Sequence, residues 1–476
     1  CMSYYLQKMH DAEFYAIVDI TNKPKKFFQE QKLVPFKKVW YFHDHIKSDK
    51  KPDLEYLSSF EKKYNIDLWK LAINERIFYR FFDFHKFTSD EILSIEEHVC
   101  KLFESVLDEV KPDFIVTKEP AFHHLEIFYE LCRARGIKVL MLSIPKVGFR
   151  CMISEEPQKI STNKTLQDVQ GKNRSIEELR EYVNNYNPAK SVLIVIKNQG
   201  KSLGTSKRKS LTAAIKYFLL DKNKNIKTNY NYYGRTKRKV FFDTLKSILK
   251  EKFRRRFINS NLVTKVDYDS KFVYFPLGVD NGKEILIAAP FYTNQIDVIK
   301  HVTKSLPVGY KLYVKEHPSS IIHDWRSTSE YKEIMNIPNV TLIHPAVNSE
   351  KLYRNCSLVV SISGSAGLEA AFYQVTSIVF SNPDYTMLPS VFQIKDIEDL
   401  PKKIRYALDI DPDVKNLDKY LTLIEENTFD FDWFGLLIDI RTHFYSKKIP
   451  FDTNIAEKNM ELFLKDNKKK LISLST

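Results

Sequence analysis

The chain has 476 residues, 43% hydrophobic and 28% charged, enough for two or three domains with sizeable cores. This composition excludes a disordered or collagen-like chain, and no apolar run is long enough to span a bilayer. The five cysteines, Cys1, Cys100, Cys132, Cys151 and Cys356, show neither metal-ligand spacing nor a disulfide framework. No N-terminal signal with a small-residue cleavage site is evident, so a reducing, cytoplasmic setting is the expectation. The net charge is +14, and it is unevenly spread. Residues 197–256 hold 19 Lys and Arg against three acids, a net +16, which leaves the rest near neutral. Such a segment attracts anionic membrane surfaces, nucleic acid or polyanionic polymers.

In chain order, residues 14–20 and 38–43 read as strands, with Asp44 and His45 just beyond the second. Residues 54–108 have helical spacing, with Ser89 or Asp90 as an N-cap before a long helix. Phe114–Val116 reads as a strand followed by Glu119, residues 122–134 as a helix closing at Gly136, and Val139–Ser143 as another strand. Alternation of this kind predicts a parallel sheet covered on both faces over residues 1–150. The polar and basic stretch 155–265 reads as a helical elaboration of that first domain.

A second α/β rhythm begins near residue 271. Strands are expected at 272–276, 285–289, 310–314, 340–343, 358–362 and 376–380. The most informative stretch is residues 357–380. It runs from a short β-branched strand through Ser363-Gly364-Ser365-Ala366-Gly367 into a helical face carrying Glu369, then into a second strand. Helices are also expected at 398–408, 430–445 and 455–466. The expected division is an N-terminal Rossmann-like domain over 1–270, a C-terminal one over 271–440 and a helical tail over 441–476.

In open α/β sheets, ligands bind beyond the carboxyl ends of the strands. Four polar clusters are expected there: Thr293-Asn294-Gln295, Lys315-Glu316-His317-Pro318, His344, and Ser363-Gly364-Ser365. Lys315 and His317 suit the charge of a leaving phosphate. Ser363, Gly364 and Ser365 suit phosphate oxygens, and Glu369 suits ribose hydroxyls. Glu316 suits a ribose hydroxyl or the orientation of His317. No carboxylate pair of metal-binding type stands beside these loops, so neither a metal nor another cofactor is required. On the first domain, Asp44, His45, Glu119, His123 and His124 are the candidates, with Glu119 as the base and at least one of the two adjacent histidines an ordinary helix start.

The runs FVYFPLGVD, APFYTNQ, SLPVGYKLYVKEHP and SISGSAGLEAAFYQVTSIVF, in this order, resemble the capsule polysaccharide biosynthesis protein family. That family includes β-Kdo transferases and is similar in fold to CDP-glycerol polymerases. The resemblance implies a GT-B fold, two Rossmann-like doubly wound domains facing a cleft. It further implies an acceptor on the first domain and a nucleotide sugar on the second. His317 and Pro318 would meet the nucleotide phosphate, with Ser363 and Ser365 beside it. One departure is Gln374, which stands where the family usually has glycine.

The expected function is a glycosyltransferase of surface polysaccharide synthesis. It would use a CMP-, CDP- or UDP-linked donor and a glycan or lipid-linked acceptor, with the basic segment against the inner membrane surface. Alternatives are a glycerol-phosphate-type phosphotransferase, a sugar-nucleotide 2-epimerase, and, from another class, a polyanion- or nucleic-acid-binding protein using residues 197–257. A nucleic-acid partner is not expected.

Overall fold

The computed structural model describes residues 2–20, 22–48, 51–148, 150–185, 217–219, 229–318 and 326–430. The helices expected at 455–466 and over most of 430–445, and much of the basic segment, lie outside them.

Residues 272–393 form a six-stranded, wholly parallel sheet. Its strands are β6 (Phe272–Pro276), β7 (Lys311–Lys315), β8 (Val340–Ile343), β9 (Leu358–Ser361), β10 (Ser377–Val379) and β11 (Val391–Gln393). Their spatial order is β8-β7-β6-β9-β10-β11. Counted from β6, this is 3-2-1-4-5-6, the order of dinucleotide-binding folds. These strands are short, apolar and buried, as a sheet covered on both faces requires. Val273, Phe275, Leu312, Val314, Val360 and Ile378 pack under the flanking helices.

One expected strand is absent from this sheet. Residues 283–286 form a helical turn capped at Gly282, and Ile285, Leu286 and Ala289 are buried as helix and turn. A five-residue apolar run does not distinguish strand from helix by itself. The sheet takes β6 as its first strand and crosses directly to β7.

The first unit differs from the single parallel sheet expected. The strands β1 (Phe14–Val18) and β2 (Phe36–Tyr41) make a separate parallel pair. The strands β3 (Phe114–Lys118) and β4 (Lys138–Ser143) are parallel, but β5 (Arg150–Ser154) is antiparallel to β4. A short tight loop between β4 and β5 leaves no room for a crossover helix, which parallel pairing would need. The long helix Ser89–Val110 is capped by Thr88, one or two residues before the expected Ser89 or Asp90. Thr88 and Glu91 form a reciprocal capping box there.

The segment after residue 410 returns to the first unit, although it was expected to end the second. Phe429–Asp430 pairs antiparallel with β5. The helix Val414–Glu426 is held by Arg174, which donates to Asp418 at 2.5 Å and to Glu425 at 2.9 Å. Leu417, Tyr420, Leu421 and Ile424 share a core with Val147, Leu179, Leu368 and Phe372, so this core seals the two units together.

The helix Lys237–Asn261 also links them. Its entry packs in the first core through Tyr230, and its end packs in the second through Ile258 and Leu262.

Candidate active site

The strand order reverses between β6 and β9, so the ligand crevice of the second unit opens where these strands end. After β9 comes the Ser363-Gly364-Ser365 turn. Gly364 adopts φ +93°, and a Cβ there would meet only open space, so this backbone faces solvent. Gly367 is required for a different reason: a Cβ would stand 2.8 Å from Val379, because the helix lies directly on the sheet. The helix is only six residues long, Ala366–Ala371, so hydroxyls and backbone of the turn, more than a helix dipole, offer the donors.

Ser363, Ser365 and Glu369 are partly exposed in this turn. Ser365 Oγ donates to Glu369 Oε1 at 2.6 Å, which presents the carboxylate to the crevice. Lys315, at the end of β7, is buried, and burial lowers its pKa to about 8 against the opposing pull of Glu369. Its Nζ donates to Ser349 at 2.5 Å. His317 and Pro318 follow, both partly exposed. Lys315, Ser365 and Glu369 are thus electrostatically coupled.

Five other expected donor-site residues are engaged elsewhere. Glu316 is fully buried and paired with Arg326 at 2.5 Å, and Arg326 also meets Asp280 at 2.9 Å. Its other oxygen accepts from the His317 backbone N–H at 2.6 Å, so it holds the loop and has no oxygen left for ribose. Gln295 clamps the loop after β6: its Oε1 accepts from Gly278 N at 2.8 Å, and its Nε2 donates to Gly278 O and Asp280. Asn294 is a helix N-cap, accepting from Ile296 N at 3.2 Å. His344 uses both ring nitrogens, on Asn259 and on Ala346 N, and burial together with Lys315 lowers its pKa. Thr293 contributes its carbonyl to Arg80 of the first unit.

The helical turn at 283–286 brings the residues that sequence reasoning overlooked. Lys283 and Glu284 reach from the second unit into the first. Glu284 Oε2 accepts from Lys146 at 2.7 Å, Gln158 at 2.7 Å and Ser363 at 3.2 Å. Three donors from three loops thus converge on one carboxylate oxygen at the β6–β9 crevice. Burial opposes ionisation of Glu284, but Lys146 and Lys283 outweigh it and lower its pKa. The available signal was the pairing of Lys and Glu at a Gly-capped turn, hidden by the apolar run after it.

Glu119 is also in this seam. It accepts from Ser143, from Gln158 N and from Lys283, so both oxygens are occupied and it ties the units together. Beside it lies a cleft of about 240 Å³ lined by Glu119, Glu126, Tyr129, Arg133, Gln158 and Lys283. Burial, then Glu130, pushes Glu126 up to about 7.

The remaining acceptor-side expectations are displaced by one or two residues. Asp44 is paired outward with Lys25 at 2.5 Å, and His45 is exposed. The inward residue is His43, which is buried and meets Asp19 at 2.6 Å. His123 is buried against Glu75 at 3.0 Å.

Comparison with known proteins bears on the second unit. Residues 201–389 match the model of the capsule polysaccharide biosynthesis proteins. That segment contains β6 to β10 and the Ser363 turn, the same region that carries the sequence resemblance. Gln374, where the family usually has glycine, adopts φ +56°, which explains the usual residue.

Among solved structures, the β-Kdo 2,7 transferase KpsC of Thermosulfurimonas dismutans aligns at 11% identity, over 86% of this chain and 89% of that one, with a TM-score of 0.32. The UDP-GlcNAc 2-epimerase of Methanocaldococcus jannaschii aligns at 12% identity, over 87% of this chain and all of that one, with a TM-score of 0.25. The Neisseria meningitidis UDP-GlcNAc 2-epimerase, bound to UDP-GlcNAc, aligns at 12% identity over 87% and 99%, with a TM-score of 0.25. No curated protein matches.

Proposed function

We propose that the protein is a glycosyltransferase of surface polysaccharide synthesis. It transfers a sugar from a CMP-, CDP- or UDP-linked donor to a glycan or lipid-linked acceptor. The observation that carries this reading is the β6–β9 crevice: a solvent-facing Ser-Gly-Ser turn at the strand-order reversal, in a segment that matches the capsule family. Donor phosphate oxygens meet the Ser363-Gly364-Ser365 turn, and Glu369 holds the ribose. His317 and Lys315 offset the charge that grows on the leaving phosphate, which is where stabilisation accelerates the reaction. Lys146 and Gln158 close over the phosphate from the first unit once Glu284 turns aside.

Calorimetry with CMP, CDP, UDP and GDP tests this. One nucleotide is expected to bind preferentially, at least tenfold more weakly to Lys146→Ala and to His317→Ala. Absence of binding by any nucleotide to the folded protein overturns the reading.

The acceptor side supports a membrane-peripheral enzyme. Among the described residues no helix is long and apolar enough to cross a membrane. The helix Lys237–Asn261, however, exposes Phe242 (66%), Leu249 (55%) and Phe253 (71%), with Lys246 and Lys250 beside them. An apolar row edged by lysines suits the interface of an anionic bilayer. Co-sedimentation with phosphatidylglycerol vesicles is expected, reduced by Phe242→Ser with Phe253→Ser. Equal recovery with phosphatidylcholine alone counts against an electrostatic contribution.

A further inference from the structure

The carboxyl ends of β1, β2 and β3 converge on a strip of ionisable side chains. Asp19 follows β1, His43 follows β2, and His123 and His124 open the helix after β3. Asp19 is the outer member, its side chain 42% exposed, while the His43 and His124 side chains are 7% and 6% exposed. His43 Nε2 lies 2.6 Å from Asp19 Oδ1, and His124 Nε2 lies 3.6 Å from Oδ2. Behind them His123 meets Glu75 at 3.0 Å and Glu96 at 3.5 Å.

Most of this strip is under-partnered. Neither oxygen of Glu96 and neither ring nitrogen of His124 has a hydrogen-bond partner, nor has His43 Nδ1. Buried polar groups are seldom left so, because each forfeits its hydration without return. A fold gains nothing in stability from such a strip, whereas active sites gather groups of this kind. The strip is also tied to the cleft. Asn74 and Arg76, on either side of Glu75, donate to Pro290 O at 3.0 Å and Asn281 O at 2.6 Å of the second unit.

We infer that Asp19, held by His43, is the catalytic base that activates the acceptor hydroxyl. The inference rests on the transferase reading above. The acceptor O–H proton passes to Asp19 as its oxygen bonds to the anomeric carbon. The bond from that carbon to the donor phosphate breaks, and the nucleotide leaves with the electron pair. His43 is a positioning residue: its Nε2–H points the Asp19 carboxylate outward. Glu119, saturated by three donors, is relieved of the role.

The charged and titratable groups facing Asp19 and His43 are His124, Lys118, His123, Glu75, Glu96, Arg76 and Tyr230. Burial opposes ionisation of Asp19, and His43 outweighs it, so the carboxyl titrates below its usual range. Burial and then His123 hold His124 down at about 3, so it remains neutral.

The test measures nucleotide release from CMP-, CDP- and UDP-sugars, with water and with extracted membrane glycolipid as acceptors. Asp19→Asn is expected to lower the rate at least a hundredfold while nucleotide affinity, measured by calorimetry, stays within twofold. Asp19→Glu is expected to recover part of the rate. His43→Gln is expected to lower kcat about tenfold with KM little changed and to move the acid limb of the pH profile. Nucleotide affinity within twofold also certifies the fold of each variant. An Asp19→Asn rate near wild type overturns the inference, and so does nucleotide binding by wild type without release from any donor. Failure of wild type to bind any nucleotide overturns the transferase reading instead.

Discussion

Two buried charge networks, one in each unit, are built on opposite terms. In the second unit Arg326 is flanked by Glu316 and Asp280, with Gln295 and Arg80 completing the shell. Three of the four carboxylate oxygens there accept a hydrogen bond, and the network fixes the loops after β6 and β7 so that the crevice keeps its shape. In the first unit Glu96 and His124 lie equally deep, but their polar atoms lack hydrogen-bond partners. A satisfied network makes a rigid platform. An unsatisfied one keeps protons mobile at a cost in stability, which is how a donor platform and an acid–base centre should differ.

The largest expected effect comes from breaking the satisfied network. Arg326→Met strands two buried carboxylates and should destabilise the protein by about 3–5 kcal/mol, read by chemical denaturation. A loss under about 1 kcal/mol would mean that water already relieves those charges.

In the unsatisfied network the sign reverses. Burial, with Glu75 adding to it and His123 opposing it, raises Glu96 to about 7. A carboxyl whose folded pKa lies above its unfolded value takes up protons on folding, so stability falls as pH rises from about 4.5 to 7. Glu96→Gln should therefore gain about 1–3 kcal/mol at pH 8 over wild type and little at pH 4. A denaturation series across pH checks this, and a gain independent of pH would refute the titration.

Smaller effects calibrate both. Thr88→Ala removes the capping box of the long first-unit helix and should cost about 1 kcal/mol in thermal unfolding. The exposed Lys38–Glu109 pair, 2.7 Å apart on the surface, should contribute at most about 0.5 kcal/mol in a double-mutant cycle. A larger coupling would mean that surface charge matters more here than geometry implies.

The Ser363 turn, Lys315 and His317 were legible because strand, small-residue turn and helix carry their own punctuation. Glu119 shows the limit. Its place after a strand was legible, but three donors from Ser143, Gln158 and Lys283 saturate it, and those come from distant stretches. The turn at 283–286 was misread because five apolar residues bury equally well as strand or helix. The sequence points to Asp44 and His45 and not to His43, because a chain position does not tell which way a short helical turn aims its side chains.

By itself the sequence determined the two α/β rhythms, five of the six strands of the second sheet and the resemblance of its central segment to the capsule family. Local hydrophobic period and turn chemistry carry that information over ten or twenty residues. Only the tertiary structure decided the strand order that opens the β6–β9 crevice, the return of Phe429–Asp430 to β5, and the meeting of Asp19 with His43. Each of these depends on contacts between residues far apart in the chain, and no local pattern encodes which surfaces the packing will bring together.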